Sequence, residues 1–354
     1  MKGLECGKFT VKFEGSSYVT DLAHDGADFI SALLCDGFAR VINLGTGQTV
    51  LDKKGAFADP VVGLQVDQNV MYMMSNTGSL CTIDLRDGKE QYTTLARGVG
   101  SEEATCCSLS SSSLAYATKQ TVTAAGDQAD EEEEITMYLA DRRCLGRVQS
   151  VVKDVHSDAV HSLAFTSRDT HLLSGGADAL LNIVDANISG EPASSNLPDA
   201  NEDALLSTIC VTSSVSRCGV ISSSLLYATT DDNHWSLLKM NTAEDVDSLF
   251  RRPACRDRFL VDVIRTGNDD LPAAAVECDS SGKIFVVGVS EDGKRSTLIG
   301  ELRGHSEMVR CAVFHSGLLV TGGEDGRLVA FPLDCRSQPK KADKDKTHTR
   351  HKPY

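Results

Sequence analysis

Ser236-Leu237-Leu238-Lys239 has the Ser-x-x-Lys spacing of enzymes in which a serine is activated for acyl transfer. Gly45-Thr46-Gly47 looks like part of a phosphate-cradling loop, and twelve cysteines and nine histidines supply the residue types of thiol and metal chemistry. Each of these fails on its context. Ser236 and Lys239 lie in an apolar stretch that reads as a strand, and neither companion motif of that enzyme class is present. No helix pattern and no Gly-Lys-Ser/Thr follow Gly47, so that segment reads as a hairpin turn. The cysteines contain no Cys-x-x-Cys pair, and Cys35, Cys81, Cys210, Cys278 and Cys311 sit in or beside strand-like runs, as small buried reduced thiols do. The histidines show no metal-ligand spacing, and Trp235 reads as packing at a strand start. No catalytic, cofactor or metal site is expected.

The elements around these residues repeat. Val155 to Phe165 (VHSDAVHSLAF) aligns with Gly304 to Phe314 (GHSEMVRCAVF), and Leu172 to Val184 (LLSGGADALLNIV) with Leu319 to Phe331 (LVTGGEDGRLVAF). The shared unit is a His, an alternating strand, a second strand, a Gly-Gly-x-Asp turn and a third strand: a β-meander. Weaker copies, marked by the apolar residue six positions after each turn, and a further strand, Ile135 to Leu139, that fills the gap between the second and third of these put markers at 42, 83, 139, 184, 238, 287 and 331. Seven copies of a unit of roughly 40 to 45 residues, some enlarged by loops, predict an all-β, seven-bladed propeller over residues 1–335. The acidic stretch Thr123 to Glu134 reads as a loop in the third blade, and Ala186 to Asp203, rich in Pro, Ser and Asn, as a loop after the fourth. The last copy stops near Leu333 after three strands. Lys8 to Phe13 alternates like a strand and is expected to pair with Leu328 to Phe331, closing the ring.

Gly304-His305, the turn Gly322-Gly323-Glu324-Asp325-Gly326 and the aromatic Phe331 resemble the WD-repeat signature. The likeness implies that His305, Thr321 and Asp325 in the seventh blade, and His156, Ser174 and Asp178 in the fourth, form the family's buried hydrogen-bonded chain. Phe331 and Val184 stand where the family has Trp, so both chains should lack the indole donor and be shorter. The same trios could be taken for a Ser-His-Asp nucleophile system. Their recurrence at repeat spacing favours a turn clamp, because buried polar groups must satisfy one another.

The resemblance further implies a noncatalytic scaffold that binds protein. By family analogy the partner-facing positions are Ser157, Ala159 and Ala177 in the fourth blade, and Ser306, Met308 and Glu324 in the seventh. An alternative is a substrate receptor of a cullin-type ubiquitin ligase. In that group an Asp-x-Arg after the third strand docks the adaptor, and Ile83-Asp84-Leu85-Arg86 resembles it through Asp84 and Arg86. In Leu139-Ala140-Asp141-Arg142 the Asp looks displaced.

Charge narrows the partner. The chain of 354 residues carries a formal net charge of −15. Residues 336–354 hold seven basic and two acidic side chains, net +5, which leaves −20 on residues 1–335. An acidic body of this size disfavours direct nucleic-acid binding, which needs a clustered basic surface. It favours a basic protein segment, with the Asp127 to Glu134 run as the strongest focus. The tail lacks apolar periodicity and is expected to be disordered, serving as a localisation signal, a docking motif or a solubilising end. No apolar run is long enough to span a membrane and no signal-peptide core follows Met1, so an intracellular protein, cytoplasmic or nuclear, is expected to act as a monomer within a complex.

Overall fold

The computed structural model describes residues 4–335 apart from positions 6, 14–16, 25, 27, 54–56, 58, 96–101, 124–130, 146, 167–168 and 188–203. The described strands form seven antiparallel meanders, each with its first strand innermost. Blade 1 comprises Val19–Ala23, Phe29–Leu34, Ala39–Asn43 and Thr49–Lys53, and blade 2 Val61–Asp67, Val70–Ser75, Ser79–Asp84 and Glu90–Thr94. Blade 3 comprises Glu102–Leu109, Ser113–Thr123, Glu131–Asp141 and Val148–Lys153, and blade 4 Val160–Phe165, His171–Gly176, Leu180–Asp185 and Leu205–Cys210. Blade 5 comprises Val215–Ser222, Leu225–Thr230, His234–Met240 and Val246–Pro253, and blade 6 Arg258–Arg265, Ala273–Asp279, Ile284–Val289 and Ser296–Arg303. Blade 7 takes Val309–His315, Leu318–Gly323 and Arg327–Pro332 from the end of the chain and Phe9–Lys12 from its beginning. No helix among the described residues is long and apolar enough to cross a membrane.

Closure follows the expected pairing, with Phe9 opposite Ala330 and Val11 opposite Leu328. The start of the chain does more than close one blade. Leu4–Glu5 runs parallel to the outer strand of blade 6, pairing Leu4 with Leu302, so one short segment covers two neighbouring edges. Gly7 makes the passage between them, and a Cβ there would lie 2.7 Å from Val329 Cγ1 and 2.8 Å from the Ala330 carbonyl.

The core is distributed around the ring. Apolar side chains form seven clusters, one at each junction between blades. Consecutive residues serve opposite junctions: Leu172 faces the junction with blade 3 and Leu173 the junction with blade 5. A blade buried on both faces needs continuous apolar strands such as Phe29–Leu34, and those runs made the repeat hard to see by alternation alone.

The structure corrects three sequence expectations here. Glu131 to Glu134 lie in a strand, opposite Thr123 to Gln120, because this hairpin grows to eleven residues per strand before turning. Only positions 124–130 of the expected loop, like the tail at 336–354, lie outside the described residues. Two markers are also misplaced, Leu139 by the strand fitted into the gap and Val287 by the count from its turn. The residue paired as Val184 is in blade 4 is Ala140 in blade 3 and Val289 in blade 6, since both hairpins are longer than the counted unit.

One feature recurs without a sequence signature. In all seven inner strands the ladder slips at the same place, between Val19 and Asp21, Val61 and Gly63, Ala104 and Cys106, Val160 and Ser162, Val215 and Arg217, Leu260 and Asp262, and Val309 and Cys311. A bulge re-aims the side chains beside it. The seven lie in register, and five of the residues that follow them, Asp21, Gly63, Cys106, Ser162 and Arg217, line the central channel.

Candidate functional site: the clamps, the channel and two faces

The clamps sit beneath the loops that enter blades 4 and 7. In blade 4, His156 Nδ1 lies 3.0 Å from Asp178 Oδ2, and Nε2 lies 2.8 Å from the Ser174 hydroxyl. A proton on Nδ1 satisfies every partner: the ring donates to Asp178 and accepts at Nε2. Asp178 also accepts the Ser157 and Leu180 N–H groups at 3.0 and 3.1 Å. In blade 7, His305 Nδ1 lies 3.0 Å from Asp325 Oδ1 and Nε2 lies 2.9 Å from Thr321 Oγ1. Burial alone would raise the Asp325 carboxyl, but the bonds from His305 and the Ser306 N–H outweigh it and hold the group below its usual range.

The Gly-Gly pair before each turn is required for space. A Cβ on Gly175 would lie 2.4 Å from Val215 of the next blade, and one on Gly176 would lie 2.5 Å from His156 Nδ1. Gly322 meets Val19, and Gly323 meets His305, in the same way. The first glycine admits the neighbouring blade; the second admits the histidine.

Asn182 was not among the expected clamp residues. It stands opposite Ser174, on the same face as Val184, with Nδ2 3.2 Å from His156 Nε2 and bonded at 2.5 Å to the Val155 carbonyl. The blade 4 network is therefore not shorter by a donor, because Asn182 supplies one where the indole is missing. A single polar residue at strand spacing from the marker in Leu180–Asp185 was the available signal. Phe331 is buried against the junction of blades 6 and 7 and adds no donor in blade 7.

The upper face, defined by these clamps, carries the six partner-facing candidates from blades 4 and 7. The Ala177 N–H bonds the Ala159 carbonyl and the Glu324 N–H bonds the Met308 carbonyl, both at 2.8 Å, so each turn is sewn to the loop beside it. Ser157 and Ser306 are exposed, and their N–H groups are held by the clamp carboxylates. Glu324 pairs with Arg310.

Asp84 and Arg86 lie on the opposite, lower face, in the turn between the third and fourth strands of blade 2. Arg86 grips Asp84 through Nε at 2.9 Å and Nη2 at 2.5 Å, and this holds the half-buried Asp84 carboxyl down at about 2. The corrected register reveals a twin. With Ala140 in the marker position, blade 3 reads Asp141-Arg142-Arg143, and Arg143 grips Asp141 at 3.1 and 2.8 Å. The Asp is not displaced, and Arg143 is the residue the misplaced marker hid. Arg142 instead turns inward to Asp67 and to the Tyr72 hydroxyl at 2.9 Å.

The central channel has a volume of about 510 Å³. Arg217 of blade 5 reaches across it, 3.6 Å from Asp262 of blade 6 and 3.8 Å from Asp21 of blade 1. The Tyr227 hydroxyl donates to Asp262 at 3.1 Å. Burial raises both carboxyls despite Arg217, and burial also holds the Tyr227 hydroxyl well above its usual range. Both carboxyl groups thus share one guanidinium.

The other sequence candidates are settled by geometry. Ser236 and Lys239 lie on one strand three positions apart, so their side chains leave opposite faces and cannot meet. Gly45-Thr46-Gly47 is a turn in which the Asn43 side chain accepts the Gly45 and Thr46 N–H groups at 2.9 and 3.0 Å. Trp235 is buried edge-on to Phe250. Of the five cysteines expected to be buried, Cys81, Cys278 and Cys311 are, whereas Cys35 and Cys210 are exposed because they fall at a turn and at the end of an outer strand. Among the described residues no group of three or more His, Cys, Asp or Glu is placed to hold a metal ion.

Comparison with known proteins agrees with this architecture. The WD domain, G-beta repeat model matches residues 148–185 and 296–330, each match running from the outer strand of one blade through the inner strands of the next. The β-propeller domain of Cps50 (Swd1) from Myceliophteria thermophila superposes with a TM-score of 0.67 at 15% identity, over 92% of this chain and 100% of that one. A chain of the mitotic checkpoint complex superposes with a TM-score of 0.69 at 14% identity, over 92% of this chain and 91% of that one. No curated protein matches the sequence. The chain folds as a seven-bladed β-propeller in which two stretches, ending in the fourth and seventh blades, match the WD domain, G-beta repeat.

Proposed function

We propose that this propeller is a noncatalytic interaction platform whose acidic body binds a basic segment of another protein, of the kind ribosomal and chromatin proteins carry. WD40 propellers are scaffolds for protein–protein interaction and are generally noncatalytic. The observation that carries the basic partner is the blade 3 hairpin. Its strands outrun their neighbours: the inner strand ends its pairing at Glu102 and the outer strand at Lys153, opposite Thr136, while the hairpin continues to Glu131. Of four consecutive glutamates, Glu131 to Glu134, the first three are thereby carried past both neighbouring strands on the upper side, and Glu134 lies level with the end of the inner strand. Complementary charge of this kind accelerates encounter and is weakened by salt. The stretches His156 to Val160, Asn201 to Thr208, Ser213 to Ser216 and Thr321 to Asp325 resemble WD repeat-containing protein 89, a group without well-established enzymatic activity, which agrees with a platform.

The test is a pulldown with wild type and with Glu131 to Glu134 changed to Gln. Wild type should recover basic proteins at low salt and lose them as salt rises, and the variant should recover several-fold less. Recovery indifferent to both salt and substitution would sink the reading.

A second reading, substrate receptor of a cullin-type ubiquitin ligase, is favoured by the paired motifs. Asp84-x-Arg86 and Asp141-x-Arg143 occupy the same register in adjacent blades and present equivalent Arg–Asp forks on the lower face. Arg86→Ala with Arg143→Ala should abolish adaptor recovery. A wild-type pulldown without adaptor removes this alternative and leaves the first intact.

A further inference from the structure

On the upper rim, between blades 1 and 2, a groove of about 380 Å³ opens beside the loops that lead into each blade. Its walls are apolar and aromatic: Tyr18, Leu34, Phe57 and Pro60. Phe57 is fixed edge-on to Tyr92 and packs on the cluster between these blades, whereas Tyr18 remains 39% exposed. Two carboxylates, Asp36 and Asp59, stand at the groove.

These carboxylates differ from those nearby. Asp52 pairs with Arg40, Glu90 with Lys53, Glu133 with Lys119 and Glu324 with Arg310. Asp36 and Asp59 accept from hydroxyls, Ser17 and Thr77 respectively, and Asp36 also takes the Phe38 N–H at 3.2 Å. Among the described residues neither has a lysine, arginine or histidine within ion-pair distance. An aromatic groove with two uncompensated negative charges matches one side-chain chemistry. A long apolar stem lies against Tyr18, Phe57 and Pro60 while its cationic head meets the carboxylates. A neutral or acidic segment would leave both carboxylates without a counter-charge.

We infer that this groove is the seat of a lysine or arginine side chain from an extended basic segment of a partner protein. The inference rests on the basic-partner reading and narrows it to one place on the rim. It also separates the rim from the blade 3 hairpin, whose Glu133 and Glu134 already hold Lys119 and Lys153 and which would steer the segment rather than seat it.

Exposed Cys35 lines the same groove and gives a local readout, with exposed Cys144 and Cys210 as internal controls. The full chain is titrated with a short labelled peptide of alternating lysine and glycine, and with the same peptide carrying glutamine for lysine. Alkylation of each cysteine by iodoacetamide is followed by mass spectrometry. The lysine peptide should bind, should slow alkylation of Cys35 but not of Cys144 or Cys210, and should lose about tenfold in affinity in the Asp36→Asn, Asp59→Asn variant. Asparagine keeps the oxygen that accepts the Phe38 N–H, and an unchanged melting curve verifies the fold. Tyr18→Ala should weaken binding several-fold without altering its salt dependence. Binding with unchanged Cys35 alkylation and undiminished affinity in the double variant overturns the groove and leaves the basic-partner reading standing. Absence of binding by wild type overturns both, unless neutralising the lysines of residues 336–354 restores it. That result would put the chain's own tail in the groove and overturn a partner site.

Discussion

Blades 4 and 7 carry the same clamp and stabilise it differently. In both, the carbonyl of the residue before the histidine turns inward and needs a donor. Blade 4 meets the Val155 carbonyl with the buried amide of Asn182; blade 7 meets the Gly304 carbonyl with Arg327, reaching in from the side at 3.1 Å. Arg327 also approaches Asp325 to 3.7 Å, whereas the matching residue in blade 4 is Leu180. The repeat thus conserves a set of requirements, a seated histidine, a capped turn and a satisfied carbonyl, and different side chains can meet each one. Blade 4 is built from continuous chain order, while blade 7 is assembled from both ends.

The largest effect should come from that difference in assembly. Deleting residues 1–14 removes the outer strand of blade 7, the parallel cover of blade 6 and the buried Phe13, and should cost at least about 3 kcal/mol, with loss of cooperative unfolding. Unchanged thermal stability would mean the ring does not depend on its closure.

Next come the histidines. His156→Ala leaves Asp178 with backbone donors alone and strands Ser174, and should cost roughly 3 kcal/mol in urea unfolding. His305→Ala should cost less, about 2 kcal/mol, because Arg327 still faces Asp325. Equal losses would erase the distinction between the blades.

Asn182→Val copies the Val329 of blade 7 into blade 4 but leaves the Val155 carbonyl without its donor, and should cost about 1–2 kcal/mol. Adding Leu180→Arg should recover part of it if the two solutions are interchangeable. A double variant no more stable than Asn182→Val would show that the arginine route needs the blade 7 backbone.

Acid should weaken the blade 7 clamp by a smaller amount. The Asp325 carboxyl is held below its unfolded value, so its contribution is complete above about pH 4 and is lost as pH falls through the lowered value. Asp325→Asn should flatten this acid limb of the stability curve. A limb of unchanged steepness would assign it to other carboxylates.

The smallest effect concerns the turn itself. Ala179 holds φ at 62° where blade 7 has Gly326 at 65°. Ala179→Gly should stabilise blade 4 by about 0.5–1 kcal/mol, since only glycine adopts this region without strain. Gly326→Ala should cost at least as much, because its Cβ would lie 2.9 Å from the Ser17 carbonyl.

Much of the fold was legible because propellers repeat. His156 and His305 with their Gly-Gly-x-Asp turns gave period and phase, and the unfinished last copy required Phe9–Lys12. The slips share a cause: Glu131 to Glu134, Ala140 and Val289 belong to hairpins longer than the unit, so neither a strand fitted into the gap nor a count from the turn holds the register there. Arg143 was missed for that reason alone. Asn182 is not legible from the family pattern, which has an indole near that place, whereas the buried carbonyl needs only a donor.

The amino-acid sequence by itself determined blade number, strand order, the clamps and the charge split, because each depends on local spacing or composition. Only the tertiary structure decided the belt of bulges, the meeting of Asp21, Arg217 and Asp262 across the channel, and the groove of Tyr18, Phe57, Asp36 and Asp59. Those features join residues of different blades, and their geometry is set by closure of the ring, to which no single repeat holds the instruction.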